Sequence, residues 1–330
     1  MALFPWLNNG YQQLTHLVSE DRLPHALLLS SAGGLGIQSL AEALAATILC
    51  LAPTPTAQGA HACGTCKSCL LVTNGSHPDY RVVSHREGKK QIAVDDVRDA
   101  MHFLQQTAQQ GHHKVLVITP AETLNKASAN ALLKSLEEPP AGTFLILLSD
   151  RPASLLATIR SRCFKHAIAT PDHETSHQWL SGNIQDPETV NLLLSVCNDR
   201  PCEALRFYEQ GSLDIRSKLI EDLNKLMGKH LGPSEIAGRW NKLPMDQVLF
   251  WLSLWLTDMS RFLGSKGLVT LRDPMMVKIT KYTVRHAKAV SIFGLTDDIL
   301  SYKSGLERQT NLNPQLVLEE ILITWHDMIF

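Results

Sequence analysis

A group of closely spaced cysteines is the clearest chemical feature of this sequence. Cys63, Cys66 and Cys69 follow one another at intervals of three residues, and Cys50 lies thirteen residues upstream of Cys63. Four thiolates complete the tetrahedral shell that zinc prefers, and the glycine between Cys63 and Cys66 eases the turn that brings two sulfurs onto one ion. Because four cysteines leave no position for a catalytic water, we predict a structural Zn²⁺ site in a module over residues 50–69.

Other interpretations of these cysteines remain open. An iron–sulfur cluster also uses Cys-x-x-Cys-x-x-Cys, although Thr73-Asn74 stands where the bacterial ferredoxin motif has its Cys-Pro. His61 or His77 could replace one thiolate. The cysteines could also be reduced core residues without a ligand, since thiols of a cytosolic chain stay reduced.

A glycine-rich segment with the context of a phosphate-binding loop precedes the cysteines. It follows a predicted strand and opens a predicted helix, where backbone amides and a helix N-terminus can cradle phosphates. When the pattern G-x-x-x-x-G-K-[ST] is laid on residues 31–38, Ile37 replaces the lysine and Gln38 replaces the hydroxyl that binds magnesium. The degenerate loop comprises Ser31, Gly34, Gly36, Ile37 and Gln38.

The second nucleotide motif is also damaged. After the predicted strand Lys114–Thr119, an ATPase needs an aspartate for the magnesium and a catalytic glutamate. This sequence has Thr119-Pro120-Ala121-Glu122, in which Glu122 is displaced by two positions. With lesions in both halves of one site, we expect no ATP hydrolysis by this chain.

Two alternatives account for the surviving glycines. A dinucleotide fingerprint would need an acidic residue at the end of the second strand, and Tyr80-Arg-Val-Val-Ser-His85 offers none. The other alternative is a tight turn that binds nothing, and for a nucleotide ligand this is the interpretation we prefer.

Apolar runs predict the elements that position these residues. Val, Leu and Ile predominate in runs that do not alternate with polar residues, which is typical of parallel strands buried on both faces. The predicted strands are Ala26–Ser30, Tyr80–Ser84, Lys114–Thr119, Phe144–Ser149 and Phe164–Ala169. Helical patterns alternate with them, including helices at Leu40–Leu49 and Ala153–Ile159. The pattern predicts a doubly wound α/β domain.

The strand signals stop near Thr170-Pro171-Asp172. We therefore predict an α/β domain over residues 1–169, a small helical domain over 170–209 and an all-helical domain over 210–330. The fold class is α/β plus all-α.

Composition restricts the class of protein. The chain has 330 residues, 44% of them hydrophobic, and a formal net charge of −1, which argues against nucleic-acid wrapping by a strongly basic face. The N-terminus lacks a signal-peptide pattern, and the most apolar stretch, Val248–Leu256, is too short to span a bilayer. We expect a cytoplasmic protein without membrane association.

A series of motifs resembles the AAA+ subunits of bacterial clamp loaders, the assembly that opens the sliding clamp for DNA polymerase III. In chain order they are the four cysteines, His77-Pro-Asp-Tyr80, Val94-Asp95-x-Val97-Arg98, Asn130-Ala-Leu-Leu-Lys134-x-Leu-Glu137-Glu138-Pro139-Pro140 and Ser161-Arg162-Cys163. The resemblance covers residues 1 to about 210 well and is thinner afterwards. It implies that residues 170–209 form a lid and residues 210–330 an oligomerisation collar.

The resemblance gives Arg162 a role. In this family, the arginine of Ser161-Arg162-Cys163 reaches the ATP bound by an adjacent subunit, as an arginine finger supplied in trans. The alternative is an ordinary rim arginine paired with a carboxylate such as Glu137. By this resemblance the position of the family's second sensor arginine falls on Cys202, a third loss from the ATP site, and Arg200 is offset from that position.

The resemblance therefore implies a subunit that does not hydrolyse ATP, in a heteropentamer with gamma/tau and delta subunits. Through that complex it would support the ATP-dependent loading of the sliding clamp on primed DNA. One alternative is an active clamp-loader ATPase, which Ile37, Gln38 and Pro120 argue against. Another is a zinc-dependent factor that binds single-stranded DNA.

Overall fold

The structure is a computed structural model and describes residues 3–56, 59–86, 89, 91–307 and 313–330. The chain divides after Thr175 into two units, and each has a hydrophobic core of its own. The predicted fold class, a parallel-sheet α/β unit followed by helices, is confirmed.

All five predicted strands are present in one parallel sheet of the first unit. Together with a two-stranded hairpin, the strands are β1 (Ala26–Ser31), β2 (Thr54–Thr56), β3 (Gly59–His61), β4 (Tyr80–Val83), β5 (Lys114–Ile118), β6 (Thr143–Ser149) and β7 (Phe164–Ile168). The sheet order is β4-β5-β6-β1-β7. Neighbouring strands run parallel, with Leu28 of β1 opposite Leu147 of β6.

Two apolar cores cover the two faces of this sheet. Leu27 and Leu29 of β1 belong to one core, whereas Leu28 belongs to the other. Because successive side chains of a strand point to opposite faces, a strand buried on both sides must be apolar throughout. The helices of this part are α1 (Asn8–Ser19), α2 (Ile37–Leu49), α3 (Lys67–Thr73), α4 (Val94–Gln105), α5 (Lys126–Glu137) and α6 (Ala157–Arg160).

From His173 onward the described chain is helical. The helices are α7 (His173–Ser181), α8 (Pro187–Cys197), α9 (Pro201–Glu209), α10 (Ser212–Met227), α11 (Pro233–Trp240), α12 (Met245–Gly264), α13 (Val277–His286), α14 (Ala289–Glu307) and α15 (Pro314–Ile329). Their core contains four fully buried indole rings, those of Trp240, Trp251, Trp255 and Trp325.

A buried ion pair lies in the core of the second unit. Arg216 of α10 donates to both carboxylate oxygens of Asp273, and the Trp255 Nε1 donates to Asp273 Oδ2 at 2.9 Å. Buried charge is tolerated when it is paired and hydrogen-bonded in this way.

One core cluster runs from Leu180 to Ile329, so the predicted lid and the predicted collar share one apolar interior. The ranges 1–169, 170–209 and 210–330 stay a prediction. Residues 1 and 2, residues 57 and 58 of the predicted zinc module, and residues 308–312 of the predicted collar lie outside the described residues.

Across the part of the chain that the structure describes, no helix combines the length and the apolar character that crossing a bilayer requires.

Candidate functional site

The four cysteine sulfurs converge on one point. The Sγ atoms of Cys50, Cys63, Cys66 and Cys69 all lie within 4.8 Å of one another. The Cys50–Cys66 and Cys63–Cys69 sulfur pairs are each 3.9 Å apart. A tetrahedral zinc ion with bonds of about 2.3 Å sets its sulfurs about 3.8 Å apart. The four side chains can therefore hold a metal ion after small adjustments of the sulfur positions.

Local backbone structure brings the sulfurs together. Cys50 is the C-cap of α2, and Cys66 is the N-cap of α3, where its Sγ accepts the Cys69 amide. Gly64, with φ +73°, makes the left-handed turn between Cys63 and Cys66. The Cys63 amide also donates to the Cys50 Sγ at 3.3 Å. Amide donors of this kind stabilise negative charge on sulfur.

The thiols differ in their ease of ionisation. Hydrogen bonds from the backbone amides of Thr65 and Cys66 lower the pKa of the Cys63 thiol to about 6. Burial raises the pKa of the Cys69 thiol. Because metal ligands must be thiolates, a metal ion binding here displaces a proton from Cys69.

A buried histidine fastens the cysteine module to the sheet. His77 Nδ1 accepts the Asp79 amide at 3.0 Å, which leaves the proton on Nε2 for the Ser68 Oγ at 2.8 Å. Ser68 in turn donates to the Leu49 carbonyl at 2.6 Å. Burial lowers the pKa of His77, which favours this neutral tautomer. His77 is therefore engaged in the fold and lies outside the cluster of four sulfurs.

Asp79, two residues later, is a fully buried carboxylate that sequence reasoning missed. It accepts the backbone amides of Gln109 and Gln110 and lies 3.8 Å from the Lys114 ammonium. These bonds hold the loop before β5 against the start of β4. His77 and Asp79 of the motif His77-Pro-Asp-Tyr80 thus make hydrogen bonds that stabilise the local structure.

Two aromatic side chains of the N-terminal segment contact the degenerate phosphate loop. Gly34 and Gly36 adopt the left-handed backbone at φ +83° and +70°. The Phe4 ring lies where a side chain on Gly36 would stand. The Trp6 Nε1 donates to the Leu35 carbonyl at 2.8 Å. The surviving glycines are accounted for by this turn and by its close contact with Phe4.

The two residues that replace the lysine and the hydroxyl make contacts within the core and along α2. Ile37 is 7% exposed and belongs to the core on one face of the sheet. The Gln38 Nε2 donates to Glu42 Oε1 at 2.9 Å, one turn along α2.

A carboxylate that the sequence analysis did not single out lies at this loop. Asp150 follows β6, which is adjacent to β1, and an added side chain on Gly33 would meet its Oδ2 at 3.1 Å. The Ser31 hydroxyl lies 3.4 Å from Asp150 Oδ1. Its position was available from the sequence, since carboxyl ends of adjacent parallel strands meet at one edge.

A cleft of about 180 Å³ remains beside the loop, lined by Gly34, Gly36, Ile37, Gln38, Thr119, Pro120, Leu148, Ser149 and Asp150. At the end of β5 its wall is Thr119 and Pro120, and Glu122 follows in a 3₁₀ turn.

Arg162 lies at the rim and is paired with Glu137. Its Nε and Nη2 approach the same oxygen, Glu137 Oε1, at 2.7 and 2.5 Å. Its Nη1 donates to the Thr158 carbonyl at 3.0 Å. The Arg162 side chain is 35% exposed. The ion pair with Glu137, which the sequence left open as an alternative, is present, and the guanidinium is still accessible to solvent.

The neighbours of Arg162 fix its backbone. The Ser161 hydroxyl donates to the same Thr158 carbonyl, and Cys163 is buried in the core. Each residue of Ser161-Arg162-Cys163 therefore has a defined place. The helix predicted over Ala153–Ile159 is wrong: a 3₁₀ turn at Pro152–Ser154 is followed by extended residues and only then by α6.

The predicted sensor position carries no charge. Cys202 lies in α9, and burial raises the pKa of its thiol to about 11. Arg200, offset from it, donates to the Cys197 carbonyl and pairs with Glu203 at 2.6 Å. Both contacts belong to local structure.

Comparisons with known proteins agree with one another. A family model described as "DNA polymerase III, delta subunit" matches residues 6–172, and one described as "DNA polymerase III, delta subunit, C terminal" matches residues 210–327. The protein from Pseudomonas aeruginosa named "DNA polymerase III subunit delta'" is 35% identical over 325 residues, 98% of this chain and 97% of the relative.

Two further relatives carry the same name. The Yersinia pestis protein is 34% identical over 98% of this chain and 96% of its own length. The Escherichia coli protein is 32% identical over 98% of this chain and 95% of its own length. The chain belongs to the family of DNA polymerase III delta' subunits.

Proposed function

We propose that this chain is a clamp-loader subunit that does not hydrolyse ATP and that supplies Arg162 to an ATP site on a neighbouring subunit. Its partners would be gamma/tau and delta subunits in a cytoplasmic heteropentamer. Together they would load the sliding clamp on primed DNA at the expense of ATP bound elsewhere in the complex. The names of the curated relatives support membership of a DNA polymerase III complex.

The observation that carries this proposal is a contrast within one unit. The chain's own phosphate loop lacks its lysine, carries Asp150 beside it and is packed by Phe4. The rim arginine, Arg162, is intact and 35% exposed. A trans-acting arginine stabilises charge on the transferring phosphoryl group, so it remains useful in a chain that binds no ATP.

We also propose that the cysteine cluster holds one structural Zn²⁺. The sulfur spacing fits tetrahedral coordination, and Cys50, Cys63, Cys66 and Cys69 are all free cysteines. The ion would fix the module between α2 and α3, and no step of ATP chemistry passes through it.

The collar is the proposed oligomerisation surface. Helices α14 and α15 expose large apolar side chains, namely Val290, Phe293, Leu300, Leu316 and Ile323. Within each helix these residues are three or seven apart and so lie on one face, and contiguous exposed apolar surface is typical of sites that bind other proteins. A truncation ending near residue 209 should therefore fail to join partner subunits that the full chain joins.

The test is reconstitution with purified gamma/tau and delta subunits. Native mass measurement should give one complex that contains this chain. That complex should hydrolyse ATP faster with clamp and primed DNA, while the isolated chain should not hydrolyse ATP. Robust magnesium-dependent hydrolysis by the chain alone, or failure to assemble, would contradict the proposal.

A further inference from the structure

The guanidinium of Arg162 is held at two points. Glu137, the last residue of α5, accepts hydrogen bonds from both Nε and Nη2, and the Thr158 carbonyl accepts one from Nη1. An arginine side chain has five N–H groups in a rigid plane. Three contacts at three nitrogens therefore leave one N–H on each terminal nitrogen, with no acceptor among the described residues.

Those two remaining N–H groups are the ones that a phosphate requires. They lie on the two terminal nitrogens, which form a planar fork toward phosphate oxygens. The contact with Glu137 takes up the lateral edge formed by Nε and Nη2. Glu137 and an incoming phosphate can thus bind the same guanidinium at once.

The position of Glu137 is itself fixed. Leu136, before it, is 2% exposed, and the His25 Nε2 lies 3.0 Å from the Leu136 carbonyl. Ile159 and Cys163, on either side of Arg162, belong to the same apolar core as Leu136. Both ends of the ion pair therefore project from one rigid body.

The ion pair contributes little to stability. The Glu137 and Arg162 side chains are 51% and 35% exposed, and ion pairs in solvent contribute little to the free energy of folding. A contact of this kind between fixed backbones restricts the arginine to one rotamer, which matters where reacting groups must meet in a defined geometry.

We propose that Glu137 is a positioning residue that orients the Arg162 guanidinium for a phosphate outside this chain. This rests on the proposed function of Arg162 in trans. If Glu137 orients the Arg162 guanidinium, the acceptor oxygen at the position of Oε1 is what matters. If Glu137 instead adjusts the charge around Arg162, the negative charge of its carboxylate is what matters. Substitutions that separate the two give the proposal its test.

The experiment measures clamp- and DNA-stimulated ATP hydrolysis by the reconstituted complex with variants of this chain. Glu137→Gln keeps an acceptor oxygen at the same reach and should stay within about twofold of the wild-type rate. Glu137→Asp keeps the charge but withdraws the oxygen by one methylene, and Glu137→Ala removes it. Both should lower the maximal rate of ATP hydrolysis by about five- to tenfold, because the Arg162 guanidinium is no longer fixed in one orientation.

A double variant tests whether Glu137 acts through Arg162. In an Arg162→Ala background, Glu137→Ala should have no further effect, because there is no guanidinium to orient. Glu138→Ala, at the next exposed carboxylate, is the matched control and should match wild type. Complex mass and zinc content are measured for every variant to confirm folding and assembly.

The outcomes separate this inference from the proposed function. If Arg162→Ala leaves the rate unchanged, the trans role of Arg162 is wrong, and the inference falls with it. If Arg162→Ala slows hydrolysis while Glu137→Ala and Glu137→Asp match wild type, only the positioning role is wrong. A faster rate in Glu137→Ala, an Asp variant that outperforms Gln, or an equal loss in the Arg162→Ala background would each overturn it.

Discussion

Helix α2 begins in the degenerate phosphate loop and ends at the cysteine cluster. The two ends differ in whether the side chains that could bind a ligand are present. At the N-terminal end the backbone of a phosphate site persists, but the lysine position is Ile37 and the Phe4 ring covers Gly36. At the C-terminal end all four sulfurs are present within 4.8 Å of one another. The phosphate loop thus has the backbone turn without the charged side chains, whereas the four cysteines form a complete set of ligands that could hold a metal ion.

Arg162, at the rim of the sheet domain, resembles the cysteine cluster at the C-terminal end of α2, because its functional side chain is present. Arg162 keeps its motif and its access to solvent, and it lies in a chain whose own loop carries a carboxylate, Asp150, in place of positive charge. Under the proposed function, the cysteines serve the structure of this chain and Arg162 serves a neighbouring subunit. The following variants break or sharpen it.

Removal of one cysteine ligand should have the largest effect. In Cys66→Ala the chain should lose its single bound zinc, because three thiolates leave an open shell. Structural zinc in small modules contributes on the order of 10–16 kcal/mol of apparent binding free energy, so the module should unfold locally while the sheet persists. Elemental analysis and hydrogen exchange of the module measure both effects.

The matched control is Cys202→Ala, at a half-buried cysteine outside the cluster. It should keep one zinc per chain. Wild-type protein with iron in place of zinc, or with no metal, would show that the four sulfurs have another role.

Arg162→Ala should have the next largest effect, on the complex alone. In other phosphoryl-transfer systems an arginine in trans contributes roughly 10³–10⁵ in rate. Because several sites share the work in a ring, we expect a loss of about tenfold or more in stimulated ATP hydrolysis. Arg162→Lys should rescue poorly, since an ammonium lacks the planar fork.

Lys165→Ala, at an exposed cation of β7, is the control for Arg162 and should leave hydrolysis unchanged. Equal rates with wild-type and Arg162→Ala chains, at equal assembly, would return Arg162 to an ordinary rim arginine paired with Glu137.

The sequence predicted the sheet because its signal is local. The three central strands, β1, β5 and β6, are mainly apolar runs, as burial on both faces demands, whereas the edge strands β4 and β7 are more exposed. The cysteine cluster was equally accessible, since Cys-x-x-Cys spacing encodes its own geometry. The hairpin of β2 and β3 was missed, because Thr54–Thr56 and Gly59–His61 are too short to carry a period.

Contacts between distant segments could not be predicted. Phe4 against Gly36, and Asp150 beside Gly33, depend on how strand ends and the N-terminal segment meet in space. The predicted helix over residues 153–159 failed for a local reason, since Leu155 and Leu156 are extended despite their helical spacing. In so short a segment, the spacing of apolar residues does not distinguish a helix from a turn in which two apolar side chains are buried.

Ile37→Lys restores the missing ammonium in the phosphate loop and should still give no ATP hydrolysis. In this variant Thr119-Pro120 still stands after β5, where an ATPase needs an acidic pair, and Asp150 still lies at the loop. Because residue 37 is 7% exposed within an apolar core, the variant should lose about 2–3 kcal/mol of unfolding free energy. Chemical denaturation and an ATPase assay of the isolated chain measure these outcomes, and magnesium-dependent turnover would contradict our account of the loop.

The smallest effect should come from Phe4→Ala, which asks whether the phosphate loop is silent because it is covered or because its side chains are gone. Removing the ring exposes Gly36 but adds no positive charge, so ATP should still not bind. Loss of a half-buried ring should lower the unfolding free energy by about 1–2 kcal/mol. Phe164→Ala, at a ring 43% exposed on β7, is the control and should change stability less. Titration with a fluorescent ATP analogue decides the question: measurable affinity in Phe4→Ala alone would mean that the N-terminal segment, and not the missing lysine, closes this site.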